Sequence, residues 1–110
     1  MAVSDAYLEY LKDLFDWLPS FRVKRMFGGA GLYSDDVFFA IATDNTLYFK
    51  ADKQNEADYR DAGAAQFSYT AKGRVSRMNF WSLPTEVLES SESLTQWTHR
   101  ALEAALRSRK

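Results

Sequence analysis

The sequence predicts an α+β domain in which antiparallel strands are flanked by helices. Three observations predict it. Apolar residues recur at three- and four-residue spacing over the first 18 residues, and again from Leu94 to Ala105, which is the period of an amphipathic helix. Between these segments lie short runs rich in β-branched and aromatic residues. Those runs are separated by turn pairs, Asp35-Asp36, Asp44-Asn45 and Lys72-Gly73. Antiparallel strands flanked by helices in this order are an α+β pattern.

Taken in order, Ser4 is a candidate N-cap and Asp5 suits the positive end of a helix. Leu8, Leu11, Phe15 and Leu18 form the apolar face, opposite Glu9, Lys12, Asp13 and Asp16, and Pro19 ends the segment. Residues 21–27 read as the first strand. Its Arg22, Lys24 and Arg25 do not alternate to the end, so a bulge is expected before the glycines that follow.

The stretch RMFGGAGLY, residues 25–33, is the junction around which the sheet is organised. Gly28, Gly29 and Gly31 are expected to be structural, marking a sharp reversal, a bulge or a close backbone approach. A phosphate cradle is disfavoured, because no Lys-Ser or Lys-Thr follows and no helix opens there.

The sheet continues over residues 32–34, and Val37–Thr43 (VFFAIAT) is apolar on both parities, as strands inside a sheet are. Residues 46–51 alternate, with Leu47, Phe49 and Ala51 on one face and Thr46, Tyr48 and Lys50 on the other. Residues 52–62 read as a short polar helix with Asp52 as cap, Gly63 as stop, and Ala57 and Tyr59 as its packing residues. Gln66–Ala71 is an alternating strand with Phe67 and Tyr69 inward. Residues 74–81 return as the last strand, with a bulge implied by the spacing of Val75, Met78 and Phe80. After a short helical turn at Thr85–Glu89, Ser91 or Ser93 caps a final helix whose stripe is Leu94, Trp97, Ala101, Leu102 and Ala105. Arg100, Arg107, Arg109 and Lys110 collect near its negative end.

Bulk properties bound the function. A chain of 110 residues is expected to be one domain, residues 1–110, with a core of its own. At 46% hydrophobic and 26% charged it is globular rather than disordered, and at 15% aromatic its core is expected to be filled by rings. A net charge of −1 provides no global field for nucleic acid. The absence of cysteine excludes disulfides and thiolate metal sites and fits a reducing compartment. The N-terminus lacks the pattern of a signal peptide, and no apolar run reaches the roughly 20 residues of a membrane helix. A cytoplasmic protein without membrane contact is expected.

Little in the sequence carries catalytic chemistry. His99 is the single histidine and sits on a helix beside Arg100, without the further ligands of a metal site or the partners of a triad. Asp35 and Asp36 suit a turn, and Glu86, Glu89 and Glu92 suit a solvated helix face. No enzyme activity, no metal and no cofactor are expected. The cations Arg22, Lys24 and Arg25 precede the glycines, and Lys72, Arg74 and Arg77 lie in the last hairpin. If the two strands are neighbours, these six form one basic patch for an anionic partner, nucleic acid or an acidic protein. The alternative is that exposed strands carry cations for solubility and to block edge pairing.

Several ordered stretches together resemble the N-terminal domain of the TfoX/Sxy family of bacterial competence regulators. They are RMFGGAGLY at 25–33, VFFAIATDNTLYFKAD at 37–52, the small helix closing in Tyr59 and Gly63, FSY at 67–69, FWSLPTEVLE at 80–89, and the final Leu94-x-x-Trp97. The resemblance implies a two-layer α+β domain with helices packed on an antiparallel sheet, and it supplies no catalytic or cofactor residues. In the two-domain regulators a second, helical domain follows, and the sequence to Lys110 is expected to hold the first alone. It implies a regulatory interaction module that binds a protein partner, with the transcription machinery or a second copy of the chain as candidates. A nucleic-acid-binding domain using the basic hairpin patch is the alternative.

The helices are too few to cover both faces of the sheet. Leu47, Phe49, Phe67 and Tyr69 are therefore expected to face the helices bearing Leu11, Phe15 and Trp97. Tyr48, Lys50, Ser68 and Thr70 then point the other way. Phe38, Ala40 and Ala42 would leave an apolar strip on the open face, with Phe38 and Tyr48 central to partner binding.

Overall fold

Three of the strand links are two-residue turns in which both residues hold positive φ: Asp35 and Asp36 (49° and 65°), Asp44 and Asn45 (53° and 52°), Lys72 and Gly73 (53° and 76°). Positive φ at both central positions is what a type I′ hairpin needs, and its twist matches that of the strands it joins. Asp and Asn tolerate this region through local side-chain hydrogen bonds, and Gly carries no Cβ to clash. These turns place strands β1 Phe21–Met26, β2 Gly29–Ser34, β3 Val37–Thr43, β4 Thr46–Lys50, β5 Gln66–Ala71 and β6 Arg74–Ser82 in one sheet. The structure, a computed structural model, describes residues 3–26 and 28–108.

The sheet order is β1-β2-β3-β4-β6-β5, and every neighbouring pair is antiparallel. The helices are α1 Asp5–Leu14, α2 Glu56–Asp61, α3 Thr85–Glu89 and α4 Ser91–Ser108. This is the α+β architecture that the sequence predicts. Ser4 caps α1 by accepting the Tyr7 N–H at 3.1 Å. Gly63, with φ 75°, follows the Ala62 cap of α2.

Helix and sheet meet in a core of rings and small residues. Phe15, Phe39 and Phe49 are fully buried, with centroid separations of 5.8 Å (Phe15–Phe39), 6.1 Å (Phe15–Phe49) and 5.7 Å (Phe39–Phe49). Leu11, Leu32, Leu47, Leu94 and Ala101 complete the cluster. Tyr59 is buried too, stacked on Trp81 and meeting Trp97 edge-on at 4.9 Å, so the short polar α2 contributes one large core ring. Burial pushes the Tyr59 hydroxyl pKa well up.

Several elements differ from expectation. α1 ends at Leu14 with Phe15 as its cap, before Pro19 is reached, and the intervening residues continue as turns. α2 starts at Glu56 rather than Asp52, because Asp52 folds into a preceding turn, exchanging hydrogen bonds with the Gln54 N–H and the Asn55 side chain. Ser90, not Ser91 or Ser93, opens α4, its hydroxyl accepting the Ser93 N–H. β2 starts at Gly29, so two of the glycines are strand residues. The register of β1 on β2 is continuous from Phe21↔Ser34 to Met26↔Gly29, so no bulge precedes the glycines within the described residues. The last residue of the expected first strand, Phe27, lies outside them. The expected irregularity of the last strand is present, where the β5–β6 register shifts between Gln66 and Ser68.

Candidate functional site

The helices pack on one face of the sheet, and the other face is a concave groove of about 690 Å³. Its lining includes Met26 and Gly29 from one side, Phe38, Ile41 and Tyr48 from the middle, and Phe67, Tyr69 and Met78 from the other side. Residues from both ends of the strand order line the same groove, so the sheet curls around it.

A bulge builds the groove floor. Tyr33 pairs with Phe38 but Leu32 pairs with Ala40, which leaves Phe39 as the extra residue. Phe39 and Ala40 both reach the core, and parity resumes with Ile41 in the groove and Ala42 buried. The expected open strip of Phe38, Ala40 and Ala42 is thus corrected. Phe38 does face the groove, whereas Ala40 and Ala42 are fully buried against the helices, and Ile41 takes their place.

The second correction concerns β5. Tyr48 faces the groove, as expected, and the Phe67 ring lies 5.2 Å from it, with Tyr69 stacked 6.2 Å beyond. Phe67 and Tyr69 therefore belong to the groove and not to the helix side. The helices pack chiefly on β3, β4 and the Trp81 end of β6, and the Phe67 and Tyr69 rings lie in the groove instead.

Rings flank the groove in a chain. Tyr33 stacks on Phe38 at 5.1 Å, and Phe38 meets Phe80 at 5.5 Å. Arg22 sits over Tyr33 at 5.4 Å and Lys50 over Phe80 at 5.2 Å, each within cation–π range. Phe38 and Tyr48 are half-buried, covered by these neighbouring rings rather than by the helices. Burial, with a smaller push from the Asp44 carboxylate, raises the Tyr48 hydroxyl pKa above its ordinary value.

The glycines have different duties. Gly28 holds φ 76° in the link between β1 and β2, as the turn reading requires. Gly29 allows close approach, since a Cβ there would lie 2.4 Å from the Ala42 carbonyl oxygen. At Gly31 a Cβ would lie 2.6 Å from Met26 Cε and 2.9 Å from Phe38 Cε1, so this residue leaves room for two groove side chains.

The six cations do not form one patch. Strands β2, β3 and β4 lie between β1 and β6 in the sheet, so the condition that the two strands be neighbours is not met. Arg22 is paired with Asp36 at 2.6 Å, and Arg25 with Asp5, while Lys24 is exposed. Lys72, Arg74 and Arg77 stand apart on the β5–β6 hairpin. His99 is exposed on α4, edge-on to Trp17 at 6.1 Å. Among the described residues there is no cluster of three metal-ligating side chains, and no helix is long and apolar enough to cross a membrane.

Sequence reasoning placed Phe38, Tyr48 and Lys50 on this face but missed Tyr33, Ile41, Phe67, Tyr69, Met78 and Phe80. For Phe67 and Tyr69 the signal was available in part: two rings two residues apart share a face, and only the choice of face was open.

A family model described as the TfoX N-terminal domain matches residues 13–105. Among curated proteins, the chain is similar to the DNA transformation protein TfoX1 of Aliivibrio fischeri (strain ATCC 700601 / ES114), with 30% identity over 87 residues. That match covers 78% of this chain and 41% of the relative's length.

Proposed function

The chain belongs to the TfoX N-terminal domain family, a competence-related regulator family, and from that premise we propose that it is a regulatory module that binds a protein partner in the aromatic groove of its sheet. The observation that carries this reading is the groove itself, in which Phe38, Tyr48, Phe67 and Tyr69 line a face that no helix covers. Tyr69 remains 47% exposed. Partly exposed rings gathered in a concavity are the usual anchors of a protein interface. Lys50, which lies over the Phe80 ring, favours a partner whose contact segment carries acids. The similarity to a DNA transformation protein supports a competence-related role; action in the cytoplasm, on a component of the transcription machinery, is part of the same proposal.

Photo-crosslinking tests the reading. A photoreactive phenylalanine at position 69, introduced into the protein in competence-induced cells, is expected to give a discrete adduct with a second, different protein. The same group at position 17, exposed beside the helices, is expected to give none. No adduct from position 69, or an adduct only with another copy of the chain, overturns the reading.

A further inference from the structure

β6 outruns the strand beside it. β4 pairs only with its far end, through Tyr48↔Ser82, Phe49↔Trp81 and Lys50↔Phe80. The other end pairs with β5 alone, from Ser68↔Arg77 to Ala71↔Arg74. The result is a two-stranded arm tipped by the Lys72-Gly73 turn, and every residue from 68 to 75 is exposed.

The arm is electrically unlike the rest of the molecule. Residues 62–85 contain Lys72, Arg74 and Arg77 and no acid, so the remainder of a chain with net charge −1 carries −4. Elsewhere among the described residues the arginines are neutralised: Arg22, Arg25, Arg60, Arg100 and Arg107 each pair with a carboxylate. Among the described residues, Arg74 and Arg77 are the arginines with no carboxylate partner. Cations that only protect a sheet edge need not be stripped of acidic neighbours. Three exposed cations on a narrow projection with no internal counter-charge are complementary to a polyanion.

Shape selects among polyanions. The major groove of B-form DNA admits a two-stranded β-ribbon, whereas the major groove of A-form RNA is too narrow for side chains to enter. We propose that the β5–β6 arm binds the phosphate backbone of double-stranded DNA, independently of sequence, through Lys72, Arg74 and Arg77. The arm is also one wall of the groove, through Ser68, Tyr69, Thr70 and Met78, but its DNA contact rests on the three cations and not on the protein partner proposed above.

The test is fluorescence anisotropy of a labelled 24-base-pair duplex with the full chain. Three phosphate contacts imply that affinity falls about 100-fold between 25 and 150 mM salt. The triple variant Lys72→Ala, Arg74→Ala, Arg77→Ala is expected to lose at least tenfold in affinity at 25 mM salt and most of the salt dependence. The double variant Arg22→Ala, Lys24→Ala, on the opposite edge of the sheet, is expected to stay within twofold of the parent. Circular dichroism melting confirms that each variant is folded. Should the triple variant not fold, the single exposed change Arg74→Glu is expected to cost at least fivefold. Absence of binding by the parent at 25 mM salt overturns the proposal. So does an arm variant that binds like the parent, or an Arg22/Lys24 variant that loses as much as the arm variant.

Discussion

Arg107 holds Asp52 through two parallel hydrogen bonds, Nε to Oδ2 at 2.6 Å and Nη2 to Oδ1 at 3.0 Å. The pair ties the last turn of α4 to the junction between β4 and α2. The guanidinium, helped by backbone N–H groups of Gln54 and Asn55, holds the Asp52 carboxyl below its ordinary value of 3.8 against an opposing push from burial. A carboxylate with a lowered native pKa stabilises the fold above its unfolded value, and that contribution is lost as pH falls through the native value. Asp52→Asn is therefore expected to lower the melting temperature at pH 7, and the gap to the parent should narrow and then close as the pH falls below 3.8 through the lowered native value. Thermal melts of both proteins across that range decide it, and a gap that persists unchanged at acid pH would show that the ion pair is not its source.

The glycines of β2 should differ in sensitivity. Gly29 faces the Ala42 carbonyl oxygen, a backbone atom that cannot turn aside, so Gly29→Ala is expected to cost about 1–3 kcal/mol, and Gly29→Val more. Gly31 faces Met26 Cε and Phe38 Cε1, both ends of side chains, so Gly31→Ala should cost less while displacing groove rings. Urea denaturation ranks them, and equal or reversed costs would refute this account.

Two groove rings should separate stability from binding. Tyr69 is exposed, so Tyr69→Asp is expected to change stability by no more than about 0.5 kcal/mol while abolishing partner capture. Phe38 is packed between Tyr33 and Phe80, so Phe38→Asp should destabilise the fold as well, unlike a purely surface change. If Tyr69→Asp leaves capture intact at full stability, the groove is not the contact surface.

What was legible in the sequence was local. Ser4 caps α1, the Asp, Asn and Gly residues of the three turn pairs hold the positive φ that these residue types tolerate, and Leu47, Tyr48 and Phe49 alternate as the period of a strand requires. What was not legible depends on cross-strand partners. One extra residue at Phe39 turns Ala40 and Ala42 from the open face into the core, and nothing in VFFAIAT marks where that residue falls. That apolar rings are helix-covered holds for Phe49 but not for Phe67 and Tyr69, because the sheet curls so that its open side also shelters rings. The basic patch required β1 beside β6, a matter of strand order that no local pattern encodes.

The strand order carries a consequence for how the chain folds. β1 to β4 are consecutive neighbours, so each pairing closes a short loop at little entropic cost. Their inner rings Phe39 and Phe49 pack on Phe15 at the end of α1, and the cover is completed only when α4, about fifty residues further on, docks on β3 and β4. During synthesis the meander is thus complete while its sticky side has only α1 to cover it, and full protection waits for Leu94 and Ala101 to emerge. Pulse-labelled hydrogen exchange on refolding should find β2–β3 amides protected before those of α4. Simultaneous protection would mean that meander and helix close in one concerted event.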